Sequence, residues 1–247
     1  MFRYAVDMTT EHALVGILGG MSWESTLTYY QEINRRYNAH YGGYHSAPVV
    51  IHSVDFAPIE QMQRRGDWTA SGRILVDAAQ GLERAGAGVL LLATNTMHLV
   101  FDTLQSATAA PWVHIADATG EALQADGHRS VGLLGTRFTM EEACYRGRLE
   151  EQFGLTVHVP GVQERGAVDR IIFEELVHGR IREESRDRFR MIMRSLADAG
   201  AEAVILGCTE IGLLVGSSDN PVPVYDTAVL HAQAAVDWLV SHRHKEA

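Results

Sequence analysis

The chain repeats itself. VGILGG at 15–20 is matched by VGLLGT at 131–136, and AGAGVLLLATNT at 85–96 by AGAEAVILGCTE at 199–210. The offsets are 116 and 114 residues, so one duplication accounts for both pairs. PWVHIAD at 111–117 and PVPVYD at 221–226 form a looser third echo. A chain built this way is expected to fold as two similar halves, with residues that share a place in the repeat sharing a place in the fold.

Each half alternates short apolar runs with amphipathic stretches. LVGIL at 14–18, PVVIHSV at 48–54, VLLLA at 89–93, SVGLL at 130–134, TVHV at 156–159 and AVIL at 203–206 read as strands. Residues 25–40, 68–85, 140–153, 168–178 and 182–199 carry apolar side chains at helical spacing. Short buried strands separated by helices mean parallel α/β architecture. The expected fold is α/β, with two pseudo-symmetric domains of mostly parallel sheet and a site in the cleft between them.

Bulk properties remove several function classes. A net charge of −10 argues against a nucleic-acid partner, whose phosphates call for clustered Lys and Arg. No apolar run approaches the roughly 18–20 residues that cross a bilayer, and MFRYAVDMTTEH lacks a signal-peptide core. The only cysteines are Cys144 and Cys208, which fits a reducing cytoplasm better than a disulfide framework. Cys144 lies in the helical MEEACYRGRLEEQ and is expected to pack. The single lysine, Lys245, is the third residue from the end, so neither a pyridoxal-phosphate Schiff base nor a Walker A loop is expected. Twelve histidines form no HExxH-type spacing, so the expectation is no metal and no cofactor.

The repeat makes its own statement about the site. Nine residues beyond Ala85 lies Thr94, and nine beyond Ala199 lies Cys208, each at the end of a strand. Ligands bind at the carboxyl edges of such strands. Across a pseudo-twofold axis, Thr94 and Cys208 would approach one ligand from opposite sides. Two groups flanking one carbon suit removal of a proton from one face and its return to the other, which is racemisation. Asn95, Thr96 and Thr209 offer neutral donors for a small carboxylate. The turn Gly19-Gly20-Met21-Ser22 lets backbone come close to a ligand. A plainer reading makes Thr94 the N-cap of a following helix, His98 a structural histidine, and Asp117 and Asp226 turn-fixing carboxylates. Glu210 is expected either to tune the thiol or to hydrogen-bond the fold.

LGGMSWEST at 18–26, HSVDF at 52–56, TNTMH at 94–98, LLGTRFTM at 133–140 and GCTEIGLL at 207–214, in this order, resemble the aspartate/glutamate racemase family. The resemblance runs from about Val15 to the final helix. It implies cofactor-independent interconversion of L- and D-amino acids, two catalytic cysteines acting as base and acid, and homodimers. It also implies that the C-terminal strand and helix return to the first domain, giving domains 12–116 plus 226–247 and 117–225. Cys208 takes one catalytic position. Met21, Ser22, Asn95, Thr96, Thr136 and Thr209 match residues around the substrate.

The chain departs from that pattern at two places. Thr94 occupies the other cysteine position. A thiol has an ordinary pKa near 8.5 and a helix N-terminus can lower it, whereas a threonine hydroxyl is far less acidic. Thr94 is therefore expected to act as the weaker partner. A lysine that some dicarboxylate-specific relatives carry is also missing from FEELVHG at 173–179. Arg64 or Arg65 in QRRGDW would be its substitute if that segment covers the site. Aspartate and glutamate remain the leading substrates by resemblance, with a neutral amino acid such as homoserine next. The alternatives are a single-cysteine reaction resembling arylmalonate decarboxylase, and a non-catalytic amino-acid-binding protein.

Overall fold

The computed structural model describes residues 14–243; the segment through residue 13 and Lys245 lie outside them. The first half runs β1 (Leu14–Gly19), α1 (Trp23–Tyr41), β2 (Val49–Ser53), α2 (Phe56–Arg65), α3 (Trp68–Arg84), β3 (Ala87–Leu92), α4 (Phe101–Ser106), β4 (Trp112–Val113) and α5 (Ile115–Ala125). The second runs β5 (Ser130–Gly135), α6 (Arg137–Glu141), α7 (Ala143–Phe153), β6 (Thr156–His158), α8 (Val162–Glu174), α9 (Glu183–Asp198), β7 (Ala203–Gly207), β8 (Val224–Asp226) and α10 (Thr227–Arg243). Two four-stranded parallel sheets result, ordered β2-β1-β3-β4 and β6-β5-β7-β8. The orders are equivalent strand for strand, so the repeat in the sequence is a repeat of topology.

Parallel strands are covered on both faces, which is why they read as unbroken apolar runs. In β3, Val89 and Leu91 pack with Tyr29 and Ile33 of α1. Leu90 and Leu92 point the other way, to Leu75 and Leu82 of α3.

The halves exchange their last helices. α5 follows β4 of the first sheet, yet Ile115, Ala116 and Leu123 pack with Val131, Leu133 and Leu149 of the second half. α10 follows β8 of the second sheet, yet Ala228, Ala232, Ala235 and Val236 pack with Val15, Ile17 and Val89 of the first. Asp117 ties α5 to α7 through Arg148 (2.8 Å), so it does more than shape a turn. Asp226 does fix one, accepting from Ala228 N at the start of α10 (2.9 Å).

Several expectations need correction. Only the C-terminal helix returns to the first half. β8 stays on the open edge of β7, with Ile205 opposite Tyr225, because a short strand needs a ladder while the helix needs an apolar face. Helices α2, α4 and α5 are additional to those read from the sequence. α8 begins at Val162, where Glu164 reaches back to Gly161 N. The helix expected over 140–153 breaks at extended Glu142, and Cys144 is exposed rather than packed. No helix among the described residues is long and apolar enough to cross a membrane.

Three buried histidines meet where the halves join. The ring centroid of His98 lies 4.4 Å from that of His114 and 6.2 Å from that of His231. His98 receives Ile115 N–H at Nε2 (3.4 Å), so its Nδ1 carries the proton and donates to Thr94 O (2.8 Å). His231 donates from Nε2 to Val113 O (2.7 Å) and accepts from the Tyr29 hydroxyl at Nδ1 (2.8 Å). These partners suit neutral rings. Burial lowers His98 well below the usual range, and takes His114 to about 3 and His231 to about 4.

Unfolding releases these rings to titrate normally, near 6.5. Above that value they contribute nothing to pH dependence. As pH falls below it the unfolded chain binds protons that the fold refuses, and stability drops, by about 2 kcal/mol per histidine at pH 5. Asp226, which burial raises to about 6, acts in the opposite sense below that pH and cancels part of the loss. The urea midpoint is therefore expected to fall clearly between pH 7 and pH 5. An unchanged midpoint would show that the folded protein accommodates protonated rings.

Candidate active site

The cleft is built from strand ends. After β1, Gly20 has φ of 92°, and a Cβ there would lie 2.3 Å from Val54 O, so only glycine fits the turn. The Met21–Ser22 peptide is cis. Ser22 Oγ then accepts from Ser25 N (3.3 Å), capping α1. After β3 the chain enters a 3-10 turn, Thr96–Val100. The N-cap position of that turn belongs to Asn95, whose side chain makes no cap bond, so capping does not explain Thr94. In the second half, Thr136 Oγ1 caps α6 by accepting from Thr139 N (3.3 Å). β7 runs directly into Cys208, Thr209 and Glu210.

Seven of the eight expected site residues line one pocket: Met21, Thr94, Asn95, Thr96, Thr136, Cys208 and Thr209. All seven are buried. Ser22 stands behind them and lines an adjoining chamber. Thr96 and Thr136, from opposite halves, share a hydrogen bond of 3.0 Å between their hydroxyls. Arg64 and Arg65 end α2; Arg64 pairs with Glu60, and neither arginine lines the inner pocket.

Glu210 joins the two halves at the thiol. Its Oε2 accepts from Cys208 Sγ (2.9 Å) and from Thr209 Oγ1 (3.0 Å). Its Oε1 accepts from Ser22 Oγ (2.7 Å) and Ser22 N (3.3 Å). Both expected roles, tuning the thiol and bonding the fold, fall to this one carboxylate. Burial, and then the charge of Glu210, push the Cys208 thiol well above its ordinary range. That overturns the expectation of a thiol lowered by a helix N-terminus. Cys208 precedes a single 3-10 turn, Ile211–Leu213, whose weak dipole does not outweigh desolvation and an adjacent carboxylate.

Asn95 shows the complementary situation. Thr227 Oγ1 donates to Leu206 O (2.8 Å), so it can only accept from Asn95, which fixes Asn95 Nδ2 toward it (3.0 Å). Asn95 Oδ1 is left buried without a hydrogen-bond partner. An orphan acceptor in a closed pocket costs about 1–3 kcal/mol and calls for a donor.

The pocket offers only about 20 Å³, room for roughly one water. Phe56, Phe173 and Val177 line both it and the outer chamber of about 460 Å³. An amino acid therefore enters only as these side chains move. Phe56 closes the HSVDF motif and Phe173 opens FEELVHG, so both were within reach of sequence reasoning. Gln63 opens QRRGDW and Gly207 opens GCTEIGLL, so they were within reach too, whereas Ile172 lies in no quoted motif. Gln63 reaches the pocket from α2, where it donates to Met97 Sδ (3.0 Å), and that helix gave no clear periodic signal.

Comparison with known proteins agrees with this geometry. The Asp/Glu/hydantoin racemase family model matches residues 18–235. A candidate Asp/Glu racemase from Yersinia pestis is 48% identical, with a TM-score of 0.85 over 92% of this chain and 99% of that one. An aspartate racemase homologue from Pyrococcus horikoshii OT3 is 38% identical, with a TM-score of 0.79 over 92% and 99%. The broad-specificity amino-acid racemase RacX of Bacillus subtilis (strain 168) is 21% identical over 93% of this chain and 100% of its own. These relatives are named as racemases, which are isomerases. With its duplicated sheets and a family match spanning most of its length, the chain belongs to the Asp/Glu/hydantoin racemase family.

Proposed function

We propose that this protein is a pyridoxal-phosphate-independent amino-acid racemase, with Cys208 as its main acid/base and Thr94 opposite. The observation that carries this reading is the pairing of Thr94 and Cys208 at equivalent strand ends of the two sheets, in one buried pocket. The unmet acceptor Asn95 Oδ1 favours an amino acid over a malonate-like acid, because an α-ammonium supplies the missing donor. Met21, Thr96, Thr136 and Thr209 are the remaining wall of the substrate site, with Ser22 acting through Glu210. The presence of only two cysteines supports a cytoplasmic location, and family resemblance supports a homodimer, with aspartate or glutamate as the first substrates to try.

The hydrogen bond from the thiol to Glu210 sets the order of proton movements. In the resting pocket Cys208 holds its proton, ready to act as an acid. To act as a base it passes that proton to Glu210 Oε2, and the resulting thiolate removes the Cα proton. The carbanion is then protonated on its other face by Thr94, directly or through a water. A hydroxyl is a poor base and a slow relay, so the direction that needs Thr94 to remove the proton is the slower one. The equilibrium between enantiomers is set outside the enzyme, so kcat/KM is equal in the two directions and the asymmetry falls on kcat and KM separately.

Incubation in deuterated water with each enantiomer of a turned-over amino acid tests this. Deuterium is expected in both product and recovered substrate, and Cys208→Ala is expected to abolish it. Thr94→Cys should raise kcat in the slow direction by about tenfold or more, because a thiol is the stronger acid and its thiolate the more accessible base. Equal directional rates before and after that change would remove Thr94 from the mechanism. Exchange that only ever retains configuration would favour a lone cysteine.

A second measurement addresses the thiol. In a Cys144→Ala background, ultraviolet titration reports the Cys208 thiolate. Glu210→Gln is expected to move that titration to lower pH by removing the neighbouring charge, while lowering turnover by removing the proton acceptor. A titration that stays where it was would leave burial alone as the cause of the raised thiol.

A further inference from the structure

We propose that His98 is the residue that positions Thr94 for its part in proton transfer. The proposal rests on the racemase reading above and deepens it. At the offset of 114 that pairs Thr94 with Cys208, Ile211 is the counterpart of Met97, and Gly212 that of His98. Around Cys208 the backbone closes the turn, with Ile211 N donating to Cys208 O (3.0 Å). In the first half the turn opens one residue later, with His98 N donating to Asn95 O (3.1 Å). Thr94 O is met instead by a side chain, His98 Nδ1, at 2.8 Å.

The second half has no room for such an anchor, because a Cβ on Gly212 would lie 2.0 Å from Asp226 Oδ2. The two turns are therefore alike in place and unlike in support. A backbone amide holds Cys208 O, whereas Thr94 has its N–H on Leu92 O (2.8 Å) and its carbonyl on an imidazole. Both peptides that flank the Thr94 Cα are thus fixed. Rotation of either one would swing the hydroxyl away from the substrate carbon.

The imidazole is itself held in place. It is buried, lies nearly parallel to the Phe101 ring (10°, centroids 5.4 Å apart) and meets His114 edge-on. Its Nε2 accepts from Ile115 N (3.4 Å), at the first residue of α5. Ile115 packs in one cluster with Ala203 and Ile205 of β7, the strand that runs into Cys208. One ring therefore references the Thr94 turn to the core that carries Cys208. A misplacement of about 1 Å at a reacting group costs up to about 100-fold in rate, and a hydroxyl that is already a weak acid has least to spare. His98 does not line the pocket, so it acts through Thr94.

The test separates the work of the two groups. In deuterated water Cys208 alone washes deuterium into recovered substrate with configuration retained, whereas inversion also needs Thr94. The initial ratio of inversion to retained exchange is read with an amino acid that the wild-type protein turns over, supplied as the enantiomer that shows retained exchange. His98→Asn keeps a donor at the Nδ1 position and is expected to hold the ratio within about twofold of wild type. His98→Gln keeps only an acceptor for Ile115 N and is expected to lower it about tenfold, with retained exchange and KM little changed. Equal ratios in the two variants, or a lower one in His98→Asn, overturn the proposal and leave the racemase reading standing. So does a fall of inversion and retained exchange in proportion, which is what a merely structural role would give. Nitrogen NMR of the wild-type protein decides without a variant: the Nδ1–H tautomer of His98 is expected, and an Nε2–H tautomer overturns the proposal. Wild-type protein that exchanges no amino acid, or exchanges only with retention, overturns the racemase reading and this role with it.

Discussion

Everything at the cleft depends on the exchange of helices between the halves. A parallel sheet needs cover on both faces, and each sheet here takes part of that cover from the other half. Ile115 and Leu123 of α5 complete the core of the second sheet, and Ala228, Ala232 and Val236 of α10 complete the first. Neither half buries its own apolar surface alone. The two walls of the pocket are therefore held by a core they share rather than by a hinge of loops. The histidines at the crossing point use the same region: His114 caps α5, His231 sits in α10, and His98 ties the carbonyl of Thr94 to the start of α5.

Within that frame the site balances polar groups against burial. A thiol beside a carboxylate in a dry pocket stays protonated, and an asparagine oxygen stays unsatisfied. Both are unfavourable in themselves, and in the proposed reaction both become useful to a zwitterionic amino acid. Under that proposal an α-ammonium meets the orphan acceptor, and the thiol has a ready place to send its proton.

Much of this was legible in the sequence, for identifiable reasons. The strands were plain because a sheet buried on both faces demands continuous apolar runs. Thr94 and Cys208 were paired by the repeat, since a duplicated topology returns equivalent positions to equivalent strand ends. Helices α2, α4 and α5 were harder: they are short or rich in alanine and polar residues, and their periodicity is weak. Gln63 opens the quoted QRRGDW, but with α2 unread nothing placed its side chain at the pocket. Cys144 differs from expectation because the helix breaks at Glu142, turning an expected inner face outward. The pKa of Cys208 moves opposite to the expected direction. A strand-to-helix boundary suggests a dipole, whereas the raised pKa depends on a burial and a carboxylate contact that arise only in the folded chain.

The sequence by itself determined the parallel α/β class, the duplication, the family and the residues that gather at the strand ends. These follow from local periodicity and from spacing, which survive any detail of packing. Only the tertiary structure decided that β8 stays while α10 crosses, and that Glu210 bridges Ser22 to Cys208 over 188 residues of chain. It alone left Asn95 Oδ1 and Glu24 Oε2 without donors. Those outcomes depend on which groups are dehydrated together, and dehydration is a property of the assembled core rather than of any segment of it.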